Sequence, residues 1–246
     1  MAIVIENAVF NIPAALNAQA GGANRIELCD NPAEGGTTPS IGTIEQVRRK
    51  LNIDMFVMIR PRGGDFVYTD EEYAAMKSDI MACKRLGADG VVLGILNSEN
   101  RIDVERCKEL ILLARPMAVT LHRAFDLVPD PEAALYDAVA AGFDRILTSG
   151  KAKNAEQGIA ALKKLVDLAA GKISILAGVG IHAGNARKIV DETGVTEIHF
   201  SARTWKESDY QIHKDFDLLE SLPSDSGYYV ADIEKIKAVR AVLGDK

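Results

Sequence analysis

The chain has 246 residues, 48% of them hydrophobic, and a formal net charge of −6, which argues against a nucleic-acid or anionic-membrane partner because its Lys and Arg are dispersed rather than clustered. No apolar run approaches the ~20 residues of a membrane span, no signal peptide is expected ahead of the first strand, and three cysteines without a CxxC pair suit reduced thiols in the cytoplasm. The length fits one barrel domain spanning residues 1–246, undivided by any linker or low-complexity tract.

In chain order, Ile3–Glu6 reads as the first strand, and Pro13 after Asn11-Ile12 marks the first turn of a helix. Gly22–Asp30 is a turn entering a second strand. Met55–Arg60 has the continuous apolar character of a parallel strand covered on both faces. Thr69-Asp-Glu-Glu72 is a capping box that opens a helix to Leu86. Gly87–Ile95 repeats the turn-and-strand pattern, Met117–His122 is the next strand, and Asp130-Pro131 is an N-cap followed by proline at the first helical position. Gly142–Gly150 is a third turn and strand, Ile159, Leu162, Leu165, Val166 and Ala169 make a helical stripe, and Ile173–Ala177 is another strand. Gly194–Ala202 is the fourth turn and strand. From Arg203 to about Gly227 no clear element is expected; the stretch carries Trp205, Tyr210 and Phe216 and is either a packed connection or a lid or partner contact. Val230, Ile233, Ile236, Val239 and Val242 form the closing helix.

The four turn-and-strand units share one nine-residue pattern, and between consecutive copies there is room for a helix, a strand and a second helix. That rhythm predicts a (β/α)8 barrel seen through alternate strands. Alternation along the strands turns Ile26, Leu28, Val91, Leu93, Ile146, Thr148, Ile198 and Phe200 toward the helices. The inward residues then form three layers: Arg25, Gly90, Arg145 and Glu197 lowest, Glu27, Val92, Leu147 and His199 in the middle, and Cys29, Gly94, Ser149 and Ser201 at the C-terminal mouth. Four small residues in the upper layer are expected to floor a ligand pocket.

Barrel sites are built at the C-terminal ends of the strands, which here carry Glu6, Glu27, Cys29, Arg60, Arg62, His122, Arg123, Asp126, Ser149, His199 and Ser201. Burying so many charges is costly unless they pair or bind something. One reading is a self-satisfied network, such as Glu6–Arg60 or Glu27–His199. The other is acid–base chemistry on a small anionic ligand, with Glu27 and His122 as base and acid, Asp126 and His199 beside them, and Arg60 and Arg62 clamping a carboxylate or phosphate. Gly178 and Gly180, with the Ser201 loop, would add backbone donors for the anion, unless the glycines merely turn the chain. Copper(I) prefers sulfur, and Cys29 is the thiol placed inside the barrel, with His199, His122 and Met58 as neighbours; equally, it could be a small buried hydrophobe. Cys83 and Cys107 fall on helical stretches and read as core.

The motifs Arg25-Ile-Glu-Leu-Cys-Asp30, Glu34-Gly-Gly-Thr-Thr-Pro-Ser40, Met58–Phe66, Thr120–Asp126, Leu147-Thr-Ser-Gly150 and His199–Arg203, in that order, resemble the CutC family. The resemblance runs from Asn24 to about Arg203. It implies a TIM barrel, a cytoplasmic location, and a role in copper homeostasis with copper binding; it implies no known reaction. A homo-oligomer is also expected. The chain departs from the family at Gly178-Val179-Gly180, where three glycines are usual, and in the segment after Arg203.

Overall fold

The computed structural model describes residues 3–209 and 227–244. Eight parallel strands close into a barrel in chain order: β1 Val4–Val9, β2 Arg25–Leu28, β3 Asp54–Met58, β4 Gly90–Leu93, β5 Ala118–Leu121, β6 Arg145–Thr148, β7 Ser174–Gly178 and β8 Glu197–Phe200. The helices alternating with them are α1 Ile12–Ala20, α2 Ile41–Arg48, α3 Asp70–Arg85, α4 Val104–Ala114, α5 Pro131–Ala141, α6 Ile159–Ala169 and α7 Ala186–Thr193. An antiparallel pair, β9 Arg203–Glu207 and β10 Gly227–Ala231, then leads into α8 Ile233–Leu243. No helix among the described residues is long and apolar enough to cross a membrane.

Local signals act as their chemistry dictates. Asn11 caps α1 by accepting from the Ala14 N–H at 2.8 Å, and Thr69 and Glu72 form the reciprocal capping box of α3. Asp130 accepts the first N–H groups of α5, with Pro131 at its first position. The alternation along the strands separates two apolar regions. Ile26, Leu28, Val91, Leu93, Ile146, Ile198 and Phe200 belong to the large shell between strands and helices, whereas Cys29, Phe56, Met58 and Val92 cluster inside the barrel.

Three expectations are corrected. The first strand runs on to Val9 rather than ending at Glu6. Asn7, a poor strand former by composition, is held there by donating its side-chain amide to the Phe200 carbonyl at 2.7 Å, so Glu6 sits deep in the barrel rather than at the mouth. The stretch after Arg203 contains β9, which takes Val230 into β10 rather than the closing helix; the Trp205 and Tyr229 rings meet edge to face at 5.1 Å across this hairpin. Tyr210 and Phe216 lie outside the described residues. The third correction concerns the upper inward layer, whose residues do not floor one shared pocket: Cys29 lines a cavity with Phe10, Pro39 and Thr43, and protein groups fill the space beside Gly94 and Ser149. A Cβ on Gly94 would stand 2.7 Å from the His122 ring, a Cβ on Gly36 would stand 3.2 Å from the Cys29 sulfur, and Ser149 is tied to Asp126 and to the Ala152 carbonyl.

Candidate active site at the barrel mouth

The deeper inward residues form an ion network that reaches up to His199. Strand register sets Glu6 between Arg25 on β2 and His199 on β8. Arg25 donates to both Glu6 and Glu197, Arg145 lies 3.3 Å from Glu197, and His199 Nδ1 is 2.7 Å from Glu6 Oε1. Gly90 leaves room for Phe56, whose ring lies beneath the Arg25 and Arg145 guanidinium groups at 4.8 and 4.7 Å. Burial alone would raise Glu6, but Arg25 and His199 overcome it and hold its carboxyl down at about 2. Glu6 is therefore a buried anion held by two donors, Arg25 and His199.

Above this layer opens a cavity of about 330 Å³ lined by Glu27, Arg60, His122 and His199, with Met58, Phe66 and Leu147 as apolar walls and Glu34, Arg123 and Asp126 toward the rim. Glu27 Oε2 accepts from the Cys29 thiol at 3.5 Å and lies 3.8 Å from His199 Nε2, while its Oε1 is buried without a partner. Burial raises the Glu27 pKa, with His199 opposing. For His199 the balance reverses: burial would lower it, but the Glu27 and Glu6 carboxylates hold it above its ordinary value. His199 thus gains proton affinity from the acids on either side of it.

His122 follows β5 directly and caps the short 3-10 turn Arg123–Leu127. Its Nδ1 accepts the Ala124 N–H at 3.2 Å, which leaves the ring proton on Nε2. That Nε2 is buried without a partner. Burial, then the charge of Arg60, push His122 down to about 3, so the ring is neutral near pH 7.

Several expected site residues have other work. Arg60 reaches the cavity but gives hydrogen bonds to the Glu34, Gly36 and Gly64 carbonyls at 2.6, 2.9 and 2.7 Å, sewing two loops together with only part of its fork to spare. Arg62 turns away from the cavity, pairs with Glu72 at 2.5 Å and Asp65 at 3.1 Å, and stacks on Tyr68. It anchors its loop to the start of α3 and clamps no ligand there. Asp126 accepts from Thr148, from the Ser149 and Lys151 N–H groups, and from Arg123, and so staples the β5 loop to the β6 loop. Thr148 thereby faces this staple rather than the helix shell. Gly178, Gly180, Ser149 and Ser201 do not line the cavity. A Cβ on Gly178 would stand 2.6 Å from Leu147, and the Gly180 carbonyl accepts from Asn185 at 2.9 Å, so the glycines serve packing and turning. Phe66, Glu34, Ala8 and Phe10 line the cavity without having been singled out. Phe66 and Glu34 sit inside two of the longest motifs, which was the available signal.

The donor chemistry around Cys29 does not suit copper(I). Its thiol is buried under Gly36, and burial and then the Glu27 charge push its pKa well above the ordinary value, which disfavours the thiolate that binds metal. His199 commits Nδ1 to Glu6 and turns Nε2 to Glu27, away from the sulfur chemistry that copper(I) prefers. Glu6, Glu27 and His199 do bring ligand atoms within 4.8 Å of one another, but that set is oxygen-rich and hard, and Glu6 is committed to Arg25.

A closed eight-stranded parallel barrel with acid–base groups converging on its C-terminal mouth defines the TIM-barrel class. A sequence model of the CutC family matches residues 3–204, and the chain belongs to that family. The copper homeostasis protein cutC homologs of Mus musculus and Homo sapiens are each 43% identical to it, over 98% and 97% of this chain and 90% and 88% of theirs. The crystal structure of a CutC copper homeostasis protein from Streptococcus agalactiae superimposes with a TM-score of 0.78 at 39% identity, covering 81% of this chain and 98% of that one. A barrel aldolase, QR15, matches with a TM-score of 0.62 at 16% identity and shows the fold alone.

Proposed function

We propose that this chain is a cytoplasmic CutC protein associated with copper homeostasis, as its relatives are named, and that its mouth is an acid–base site for a small carboxylated or phosphorylated metabolite rather than a copper(I) centre. One observation carries this reading: Glu27 Oε1 and His122 Nε2 are both buried without partners, and both side chains line the same cavity. An unsatisfied buried polar atom costs about 1–3 kcal/mol, a cost that a bound polar ligand removes. The Arg60 guanidinium supplies positive charge beside the ligand, and His199, whose proton affinity the Glu27 and Glu6 carboxylates raise, adds to it. Three buried free cysteines fit a reducing compartment, and the exposed Leu112 and Tyr136 on the neighbouring helices α4 and α5 offer apolar surface for a homo-oligomer.

An anaerobic copper(I) competition titration on wild type and Cys29→Ser, run beside a thermal-shift screen of carboxylated and phosphorylated metabolites, tests it. We expect Cys29→Ser to leave copper affinity unchanged, and a stabilising metabolite to lose its effect in Glu27→Gln. Tight one-to-one copper(I) binding abolished by Cys29→Ser would refute the reading.

A further inference from the structure

Resting on the acid–base site proposed above, we infer its substrate class and step: the mouth enolises a small carbonyl compound, with Glu27 Oε1 removing a proton from the carbon next to the carbonyl and His122 Nε2–H donating to the carbonyl oxygen.

The assignment of roles comes from what each side chain has left to offer. His122 spends Nδ1 as an acceptor for the Ala124 N–H, so the atom lacking a partner, Nε2, bears hydrogen. It can donate a hydrogen bond and cannot accept a proton. Glu27 is the complement: Oε2 is engaged by the Cys29 thiol and faced by His199, and Oε1 is an unused acceptor. A donor that stays uncharged and a carboxylate in one partly apolar cavity are the two groups that proton removal beside a carbonyl requires. A neutral imidazole is matched to such an oxygen, because it stabilises developing negative charge without first surrendering its proton to the base.

The surroundings keep these groups aimed. The Phe66 ring lies 4.7 Å from that of His122 at 49°, and Gly94 clears the space that the ring occupies, since a Cβ there would come within 2.7 Å of it. Met58, Phe66 and Leu147 wall the cavity, and an apolar wall strengthens the donor by lowering the local dielectric. His199, held between Glu6 and Glu27, balances the negative charge that passes from Glu27 to the enolate.

The step closes without any further reactant. The C–H bond next to the carbonyl breaks and its proton goes to Glu27 Oε1. The electron pair forms the C=C bond as the C=O π pair moves onto oxygen, where His122 Nε2–H meets it. Return of the same proton from Glu27 to the same carbon restores the starting compound; when Glu27 first trades that proton with solvent, the return gives exchange, and delivery to the former carbonyl carbon of a hydroxyketone, with the hydroxyl proton moving between the oxygens, gives isomerisation.

Proton wash-out in D2O, followed by 1H NMR, reads this step directly. The probes are dihydroxyacetone, glycolaldehyde, pyruvate and oxaloacetate, each also measured by thermal shift. We expect wild type to exchange at least one probe about 100-fold faster than buffer, Glu27→Gln to fall to the buffer rate, and His122→Ala to lose about 100-fold. His122→Gln, which keeps a side-chain N–H, should recover part of that loss. A probe that stabilises the protein in a Glu27-dependent manner but is not exchanged overturns enolisation while leaving the acid–base site; no stabilisation and no exchange by any probe overturns both. Independently of any probe, 15N NMR of the free protein should show His122 neutral with its hydrogen on Nε2 between pH 5 and 8, and an imidazolium or an Nδ1–H ring would refute the proposal.

Discussion

Replacing His122 with glutamine should flatten the acid limb of the stability curve. His122 is wholly buried beside Arg60, and its pKa in the fold is about 3, whereas the unfolded chain titrates near 6.5. Its folded value is depressed, so the unfolded state binds a proton below about pH 6.5 that the native state refuses until about pH 3. Native stability is therefore full above pH 6.5 and falls as pH drops through that window. At about 1.4 kcal/mol per pH unit, the loss from this residue between pH 7.5 and pH 5 is about 2 kcal/mol. Glu27, raised by burial, acts in the opposite sense over part of this range, but both proteins carry it and its effect cancels in the comparison. Glu6, brought to about 2, contributes at more acidic pH, and His199, raised, loses its contribution only as pH climbs above its ordinary value. Urea unfolding of wild type and His122→Gln at both pH values measures the difference. Wild type should lose about 2 kcal/mol more than the variant, or roughly 4–8 °C in Tm for a chain of this size. Equal losses in both proteins would show that His122 is not held neutral, and the donor role would fall with it.

Val179, with φ of +76°, adopts a left-handed backbone that costs a β-branched residue about 1–2 kcal/mol, so Val179→Gly should be more stable than Val179→Ala by about 0.5–1 kcal/mol, inverting the usual order; denaturant melts that rank alanine above glycine would refute the strain. Gly90→Ala would put a Cβ 2.5 Å from the Phe56 ring, an overpacking cost of about 1–3 kcal/mol, which Phe56→Leu in the same chain should partly restore in chemical unfolding. Glu6→Gln leaves Arg25 and His199 facing an uncharged group, and loss of one partner from a buried ion network costs about 3–5 kcal/mol; a variant as stable as wild type by calorimetry would show that the network contributes little.

The strand-and-turn repeat made the barrel legible because parallel strands buried on both faces must be apolar where helices cover them, and Ile26, Val91, Ile146 and Ile198 fall at one position of one repeated pattern. Alternation then placed Glu27, Leu147 and His199 inside, and all three line the cavity. What alternation could not give was the direction of a long side chain rooted beyond a strand end. Arg60 and Arg62 are two residues apart and read alike in sequence, yet Arg60 turns inward to three carbonyls while Arg62 turns out to Glu72. The acceptors that separate them lie on other segments, Glu34 and Gly36 in one case and α3 in the other. Only the closed fold brings those segments within reach.

The upper layer was misread for a related reason. Small side chains inside a barrel signal that something else occupies their volume, but not whether that something is a ligand or the protein. Here the His122 ring fills the space over Gly94, and the Gly36 turn fills the space over Cys29. The same substitution of mass explains why the cavity opens deeper, where unpartnered atoms of Glu27, His122 and Arg60 meet it. A small residue at Gly94 is what permits His122 to stand upright beside Phe66, and covering Cys29 leaves its thiol only Glu27 to bond. The residues that look like an empty floor in sequence are thus the ones that aim the base and the donor.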